Sequence, residues 1–146
     1  MKNFIDLSYD EKLMVLKWRN DIRIRKKMHS SSIISLDNHL NFINNLSNDK
    51  EKKYFLIDDI GVIYFTNIKN NTAELGLYSN PEKYRVGKIL LEEILSFDYD
   101  CFYLEVMEDN KKAIDLYTKY KFKKTDQKSI NGKTIIYMEY KNNENR

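Results

Sequence analysis

A single cysteine, Cys101, occurs in 146 residues, so no internal disulfide can form and a cysteine-based structural zinc site lacks its ligands. It falls in an apolar run and reads as a small buried hydrophobe. The two histidines, His29 and His39, have no spaced Cys or carboxylate partners, so no metal is expected. One proline and four glycines leave no flexible or Pro-rich linker, and no internal repeat is visible. The opening MKNFIDLSYDEK has no apolar stretch behind its lysine, and no run approaches the roughly 18 apolar residues that a membrane span needs. A reducing cytoplasm is the expected location, without a membrane partner. GxSxG, P-loop, HExxH and GxGxxG patterns are all missing, which removes the usual support for hydrolase, NTPase and dehydrogenase readings.

What remains is enough for a core. Hydrophobic residues make up 42% of the chain, with 11 Tyr and 7 Phe, against 32% charged residues. The length suits one domain spanning residues 1–146. The net charge is only +3, but the stretch RNDIRIRKK at 19–27 and the group Lys119, Lys121, Lys123 and Lys124 concentrate cations. Each reads either as a solvated face or as a site for a phosphate-bearing ligand.

Ser8 followed by YDEKLMVLKW, with Glu11 three residues on, predicts a capped helix to about Trp18, then a short basic helix through Met28. Ser35 predicts the cap of another, with Leu36, His39, Leu40 and Ile43 on one face. YFLI and GVIYFTNI read as an antiparallel hairpin, and TAELGLY alternates Ala73, Leu75 and Leu77 against Glu74 and Gly76, as a third strand does. SNPEKYRVGKILLEEIL turns at Asn80 and Pro81 into a helix with apolar face Val86, Ile89, Leu90 and Ile94. Strand CFYLEVM, helix EDNKKAIDLYTKY, strand KFKKTD, a turn at Asn131 and Gly132, and strand KTIIYMEY complete a mixed α/β sheet. The polar tail KNNENR suggests no partner and is expected to fray.

Two stretches could carry chemistry. PEKYRVGKIL joins a strand to a helix N-terminus, where free backbone N–H groups and the helix dipole suit phosphate and Gly87 allows close approach; a purely structural glycine reads equally from the pattern. In EVMEDNKKAIDLYTKYKF, Asn110, Ala113 and Tyr117 share one helical face. Tyr117 reads either as a core tyrosine or as a hydroxyl donor able to protonate a leaving group. His39 reads as a satisfied core histidine, Trp18 as core. Glu105 sits on a strand face with Cys101 and Tyr103; were that face fully buried, the carboxylate would need a cation, water or ligand.

NKKAIDLYTKYKF, the turn at RVGKILLEEIL and the order of elements together resemble the GNAT superfamily of acetyl-CoA-dependent N-acetyltransferases, whose members often show NxxAxxLYxKxGF at this point. Asn110, Ala113, Leu116, Tyr117, Lys119 and Phe122 agree with that motif. Lys121 replaces its glycine, and EKYRVG keeps only the final glycine of the family's Q/RxxGxG/A loop. LKWRND, ISLDNHLNFINNL, GLYSNP and LEVMEDNKKAI are further similar to the sugar-nucleotide N-acetyltransferases of the pseudaminic acid pathway, which supplies flagellin glycosylation.

The resemblance implies a GNAT fold: a mostly antiparallel sheet with two splayed central parallel strands, TAELGLY and CFYLEVM, flanked by helices. It implies acetyl-CoA as cosubstrate, with its pantetheine arm along Leu75 and Leu77 and its pyrophosphate over Arg85, Val86, Gly87, Lys88 and Ile89. Asn110 and Ala113 would adjoin the cofactor, Tyr117 would protonate the CoA thiolate, and Glu105 would act as base through a water. For a UDP-linked 4-amino-4,6-dideoxy-N-acetyl-β-L-altrosamine acceptor, the implied contacts are Arg19, His39, Thr66 and Tyr78, with Trp18 an alternative stacking surface for uracil. A protein N-terminal acetyltransferase of the ribosomal-protein type and an enzyme for another nucleotide-linked amino sugar are the rival enzyme readings. A basic RNA-binding module would use the same lysines and tyrosines, but no RNP-like or KH-like motif is present, so no nucleic acid is expected. The final strand TIIYMEY is a candidate edge for a homodimer.

Overall fold

Ser8 starts the first helix as its box predicts: its hydroxyl accepts from the Glu11 backbone N–H at 3.2 Å, and the Glu11 carboxylate accepts from the Ser8 N–H at 2.9 Å. In this computed structural model, which describes residues 1–28 and 30–142, that helix, α1, spans Tyr9–Asn20. His29 and residues 143–146, the greater part of the KNNENR tail, lie outside the described residues. The basic helix α2 is confined to Ile22–Arg25, because Asp21 caps it and the chain turns before Met28. Helix α3, Leu36–Leu46, is capped by Ser35. Its buried stripe is His39, Ile43 and Leu46; Leu36, expected on that face, is 38% exposed in the first turn.

The strands are β1 (Lys2–Asn3), β2 (Lys53–Ile57), β3 (Gly61–Lys69), β4 (Thr72–Ser79), β5 (Cys101–Met107), β6 (Lys123–Ile130) and β7 (Lys133–Lys141), in the sheet order β1-β2-β3-β4-β5-β7-β6. Every neighbouring pair is antiparallel except β4 with β5. The β6–β7 hairpin turns on Asn131 and Gly132, at φ 52° and 77°, as an Asn-Gly pair allows. β7 is therefore an interior strand. The expectation that TIIYMEY forms an edge is corrected: the edge is the preceding strand β6, which pairs on one side only.

Alternation along the strands sorts the core into two layers. Phe65, Ala73, Leu75, Phe102 and Leu104 point to one face and pack against α4 (Gly87–Leu95) and α5 (Lys111–Lys119). Leu56, Val62 and Tyr78 point to the other and meet Trp18 and Ile43 of α1 and α3. Trp18 is thus core. In α4 the sheet-facing residues are Leu90, Leu91 and Ile94, whereas Ile89, expected among them, is 41% exposed, since the helix begins at Gly87 and its third residue turns outward.

The end of α5 accounts for YKF. The Phe122 N–H donates to the Tyr117 carbonyl and the Lys121 N–H to the Thr118 carbonyl, both at 3.0 Å, while the Tyr117 and Phe122 rings meet at 5.5 Å. This is a Schellman closure with its apolar contact, and its left-handed residue is Lys121 at φ 73°. A non-glycine residue there carries a steric cost of about 1 kcal/mol or more. Lys121→Gly is therefore expected to raise Tm by about 3 °C, as the relief outweighs the added freedom of the unfolded chain. A lowered Tm in thermal unfolding would count against this reading of the turn.

Candidate active site

β4 and β5 pair only from Thr72↔Cys101 to Glu74↔Tyr103. Beyond that point each keeps its outer partner, β4 with β3 as far as Ser79 and β5 with β7 as far as Met107. The two parallel strands therefore part, and a cleft of about 820 Å³ opens between them. Along the open length of β4, alternate backbone groups have no strand to bond on the β5 side, so an extended ligand can take that place.

On one flank, α4 and α5 close the cleft. Val86, in the cap position before α4, makes no side-chain cap, leaving the first backbone N–H groups free for an anion. Arg85 precedes it at φ 58°, the conformation a glycine of the family loop would adopt without strain. Lys83, Arg85, Lys88, Lys112 and Lys119 line this flank. The two helices are fixed to each other: a Cβ at Gly87 would approach Leu116 Cδ2 to 3.3 Å, and the Tyr120 hydroxyl donates to Glu92 at 2.6 Å. Asn110 caps α5 by accepting from the Ala113 N–H at 3.4 Å, which brings Asn110, Ala113 and Tyr117 to the cleft wall together.

Tyr117 is 7% exposed and lines the cleft. Burial raises its hydroxyl well above the ordinary tyrosine range, with a smaller push from Tyr64, so it holds its proton at neutral pH. Among the described residues its hydroxyl has no hydrogen-bond partner. The opposite flank carries Tyr64, Glu74, Gly76, Tyr78, Glu105 and Met107. Glu105 is exposed, opposite Tyr137 of β7, so the fully buried face considered from the sequence is not realised and the carboxylate meets solvent in the cleft.

The cleft gathers Leu75, Leu77, Tyr78, Arg85, Val86, Gly87, Lys88, Glu105, Asn110, Ala113 and Tyr117 of the residues singled out in the sequence. Four others lie outside its lining. Ile89 turns away from the core, though its backbone N–H remains in the first turn of α4. Thr66 is half-buried on the Tyr64 face of β3, paired with Glu74, which lines the cleft where Thr66 does not. His39 is 6% exposed within the α1–α3 layer, and its Nε2 donates to the Lys12 carbonyl at 2.8 Å. It is a satisfied core histidine, and burial lowers its pKa. Arg19 is half-buried; Nη2 donates to the Ser30 carbonyl at 3.1 Å, while Nη1 is buried with no partner among the described residues. Tyr64 and Glu74 were missed: alternation placed them on a strand face, but only the register of β4 with β5 shows that this face borders an opening. Among the described residues no cluster of three or more His, Cys, Asp or Glu could hold a metal, and no helix is long and apolar enough to cross a membrane.

No protein-family model matches the chain. Acetyltransferase PseH of Campylobacter jejuni serotype O:2 is 38% identical over 131 residues, covering 84% of this chain and 83% of the relative. The crystal structure of C. jejuni N-acetyltransferase PseH in complex with acetyl coenzyme A superposes with a TM-score of 0.77 at 32% identity, over 96% of each chain. Spermidine N-acetyltransferase from Vibrio cholerae, in complex with CoA and spermine, reaches a TM-score of 0.81 at 19% identity, a likeness of fold alone.

Proposed function

The chain belongs to the PseH family of acetyltransferases and is an acetyl-CoA-dependent N-acetyltransferase of GNAT fold, and from that premise we propose that its acceptor is the 4-amino group of UDP-linked 4-amino-4,6-dideoxy-N-acetyl-β-L-altrosamine, in pseudaminic acid biosynthesis. The observation that carries this reading is the two-sided cleft at the strand splay, cationic beside α4 and α5 and carboxylate-bearing beside Glu74 and Glu105. An anionic cofactor suits the first side and an ammonium the second. Acetyl-CoA and nucleotide sugars are both met in the cytoplasm, where the reaction is placed.

The pantetheine arm takes the strand position vacant beside Leu75 and Leu77, and the pyrophosphate takes the N–H groups of Gly87, Lys88 and Ile89 with Arg85 and Lys88 as counter-ions. Arg85→Ala is accordingly expected to raise the acetyl-CoA KM about tenfold with the acceptor KM unchanged, as steady-state kinetics would read. A parallel rise in both would remove Arg85 from the cofactor.

The acceptor arrives as an ammonium. One of its protons passes through a water to Glu105, and the freed amine attacks the thioester carbonyl, whose oxyanion is received by a backbone N–H of β4 near Leu77. Collapse breaks the C–S bond; Tyr117 supplies the proton that the departing sulfur needs and is restored by the second nitrogen proton by way of solvent, while Glu105 releases to solvent the proton it took. The net products are amide, CoA thiol and one proton. Direct transfer is favoured over an acyl-enzyme because Cys101 lies at the closed end of the splay and burial, with Glu139, raises its thiol pKa.

The test is thiol release from acetyl-CoA with three acceptors: the UDP-linked 4-amino sugar, a TDP-linked 4-amino sugar and a peptide with a free N-terminus. Turnover confined to the UDP-sugar is the expected result. Preference for the TDP-sugar or the peptide would overturn the acceptor.

A further inference from the structure

Tyr64 stands opposite Gly76 in the β3–β4 register, two residues past the last β4–β5 pair. Gly76 has no side chain for a specific reason: a Cβ there would overlap Cζ, Cε2 and the hydroxyl oxygen of Tyr64. The end of the phenol and its hydroxyl thus lie over the β4 backbone at Gly76, within the parted section, where Tyr64 lines the cleft. It is held there. The Tyr54 ring stacks on it at 4.7 Å and 7°, Phe42 packs edge-on against Tyr54 at 4.9 Å, and Tyr78 closes the other side at 6.4 Å.

Tyr64 projects from one face of the sheet and Tyr117, carried by α5, packs against the other, yet each lines the same cleft. That arrangement exists only where the strands have separated. Glu74, a neighbour on the Tyr64 face, accepts from Asn67 Nδ2 at 3.0 Å; Asn67 reaches it because the bulge between Thr66 and Lys69 puts that residue at φ 49°. A fixed neutral hydroxyl therefore sits beside a fixed carboxylate on the acceptor side. Burial and Glu74 push the Tyr64 hydroxyl up to about 12 against the opposing pull of Arg19, so it remains a phenol at neutral pH.

We propose that Tyr64 is an acceptor-binding residue: its hydroxyl oxygen accepts a hydrogen bond from the incoming ammonium and holds the nitrogen over the thioester, on the face opposite Tyr117. Glu74 supplies the adjacent negative charge that draws the ammonium in. A neutral acceptor is suited to this task, because it fixes the nitrogen without holding it as a cation as strongly as a second carboxylate in direct contact would. Tyr64 takes no proton in this role; removal of the proton stays with Glu105. The inference rests on acetyl transfer to an amine in this cleft and not on which molecule carries the amine.

The test is steady-state kinetics of Tyr64→Phe and Glu74→Gln with the amine that the wild-type protein turns over best among the two nucleotide sugars and the peptide. Tyr64→Phe keeps the stack on Tyr54 and the cover over Gly76 while removing one hydrogen bond to a charged group, and is expected to raise the acceptor KM about tenfold or more. The acetyl-CoA KM and Tm should stay at wild-type values. Glu74→Gln should act in the same direction. A merely structural Tyr64 would move Tm or both KM values together, and that result, or wild-type kinetics in Tyr64→Phe, would overturn the proposal. Wild-type refusal of the UDP-sugar in favour of another amine would strike the proposed acceptor alone.

Discussion

Tyr117→Phe is expected to lower kcat by about 10² to 10⁴ while leaving the acetyl-CoA KM within about threefold of wild type. The phenylalanine retains the ring that meets Phe122 at 5.5 Å and closes the end of α5, so fold and cofactor cleft are preserved. What disappears is a hydroxyl that burial keeps protonated on the cofactor flank of the splay. The leaving thiolate must then depart without a partner, a loss felt in the transition state and not in ground-state binding, which is why kcat carries the effect. Stopped or continuous thiol detection measures it directly. A loss of only a few-fold would return Tyr117 to the role of a core tyrosine that borders a cleft.

Glu105→Gln is expected to cost about 10² or more in kcat/KM near neutral pH, with a deficit that shrinks as pH rises. The side chain is exposed and opposite Tyr137, so replacing it by its amide removes no packing and should leave Tm unchanged. The pH trend follows from the reaction: an ammonium needs a base, whereas an amine already deprotonated in solution does not. Wild type and variant should therefore converge toward the pKa of the acceptor amine. A pH-independent ratio between them would show that Glu105 serves binding alone and that the proton leaves by another route.

The element order, the caps at Ser8 and Ser35 and the Asn131-Gly132 turn were legible because each rests on local chemistry: a hydroxyl three residues before an N–H, or a pair that tolerates positive φ. The cofactor flank was legible for a related reason. Asn110, Ala113 and Tyr117 are set by one helix and its cap, and the N-terminus of α4 by one junction. The acceptor flank was legible only in part: Tyr78 and Glu105 were singled out, but Tyr64 and Glu74 were not, since the residues of this flank come from β3, β4 and β5 and meet only through register. Tyr64 and Glu74 are separated by a bulged hairpin, and nothing in either sequence neighbourhood states that β5 will leave β4 after Tyr103.

The residues that lie outside the cleft lining are placed by the same non-local physics. His39 has the spacing of a helix-face residue, and what decides its role is the Lys12 carbonyl of another helix, which satisfies it in the core. Arg19, in the basic run read as a diphosphate site, lies outside the cleft lining; the chain after α2 folds back so that the Ser30 carbonyl takes Nη2, while Nη1 has no partner among the described residues. TIIYMEY reads in sequence as a final edge strand, but β7 returns between β5 and β6, which leaves β6, exposed along its whole length, as the edge. Arg85 and Lys121 show the reverse case. Each stands where the family pattern has glycine, and each adopts the left-handed backbone regardless, so the loop and the turn survive at a cost in strain.

The most direct test of the central claim is the structure of the product formed by the wild-type protein from acetyl-CoA labelled in the acetyl carbonyl and the UDP-linked 4-amino sugar. The expected product carries one labelled acetyl group per sugar, bonded as an amide to the nitrogen at C4, with an equal amount of CoA thiol released. Label recovered as an ester on a sugar oxygen, as free acetate or as a stable adduct of Cys101 would contradict it.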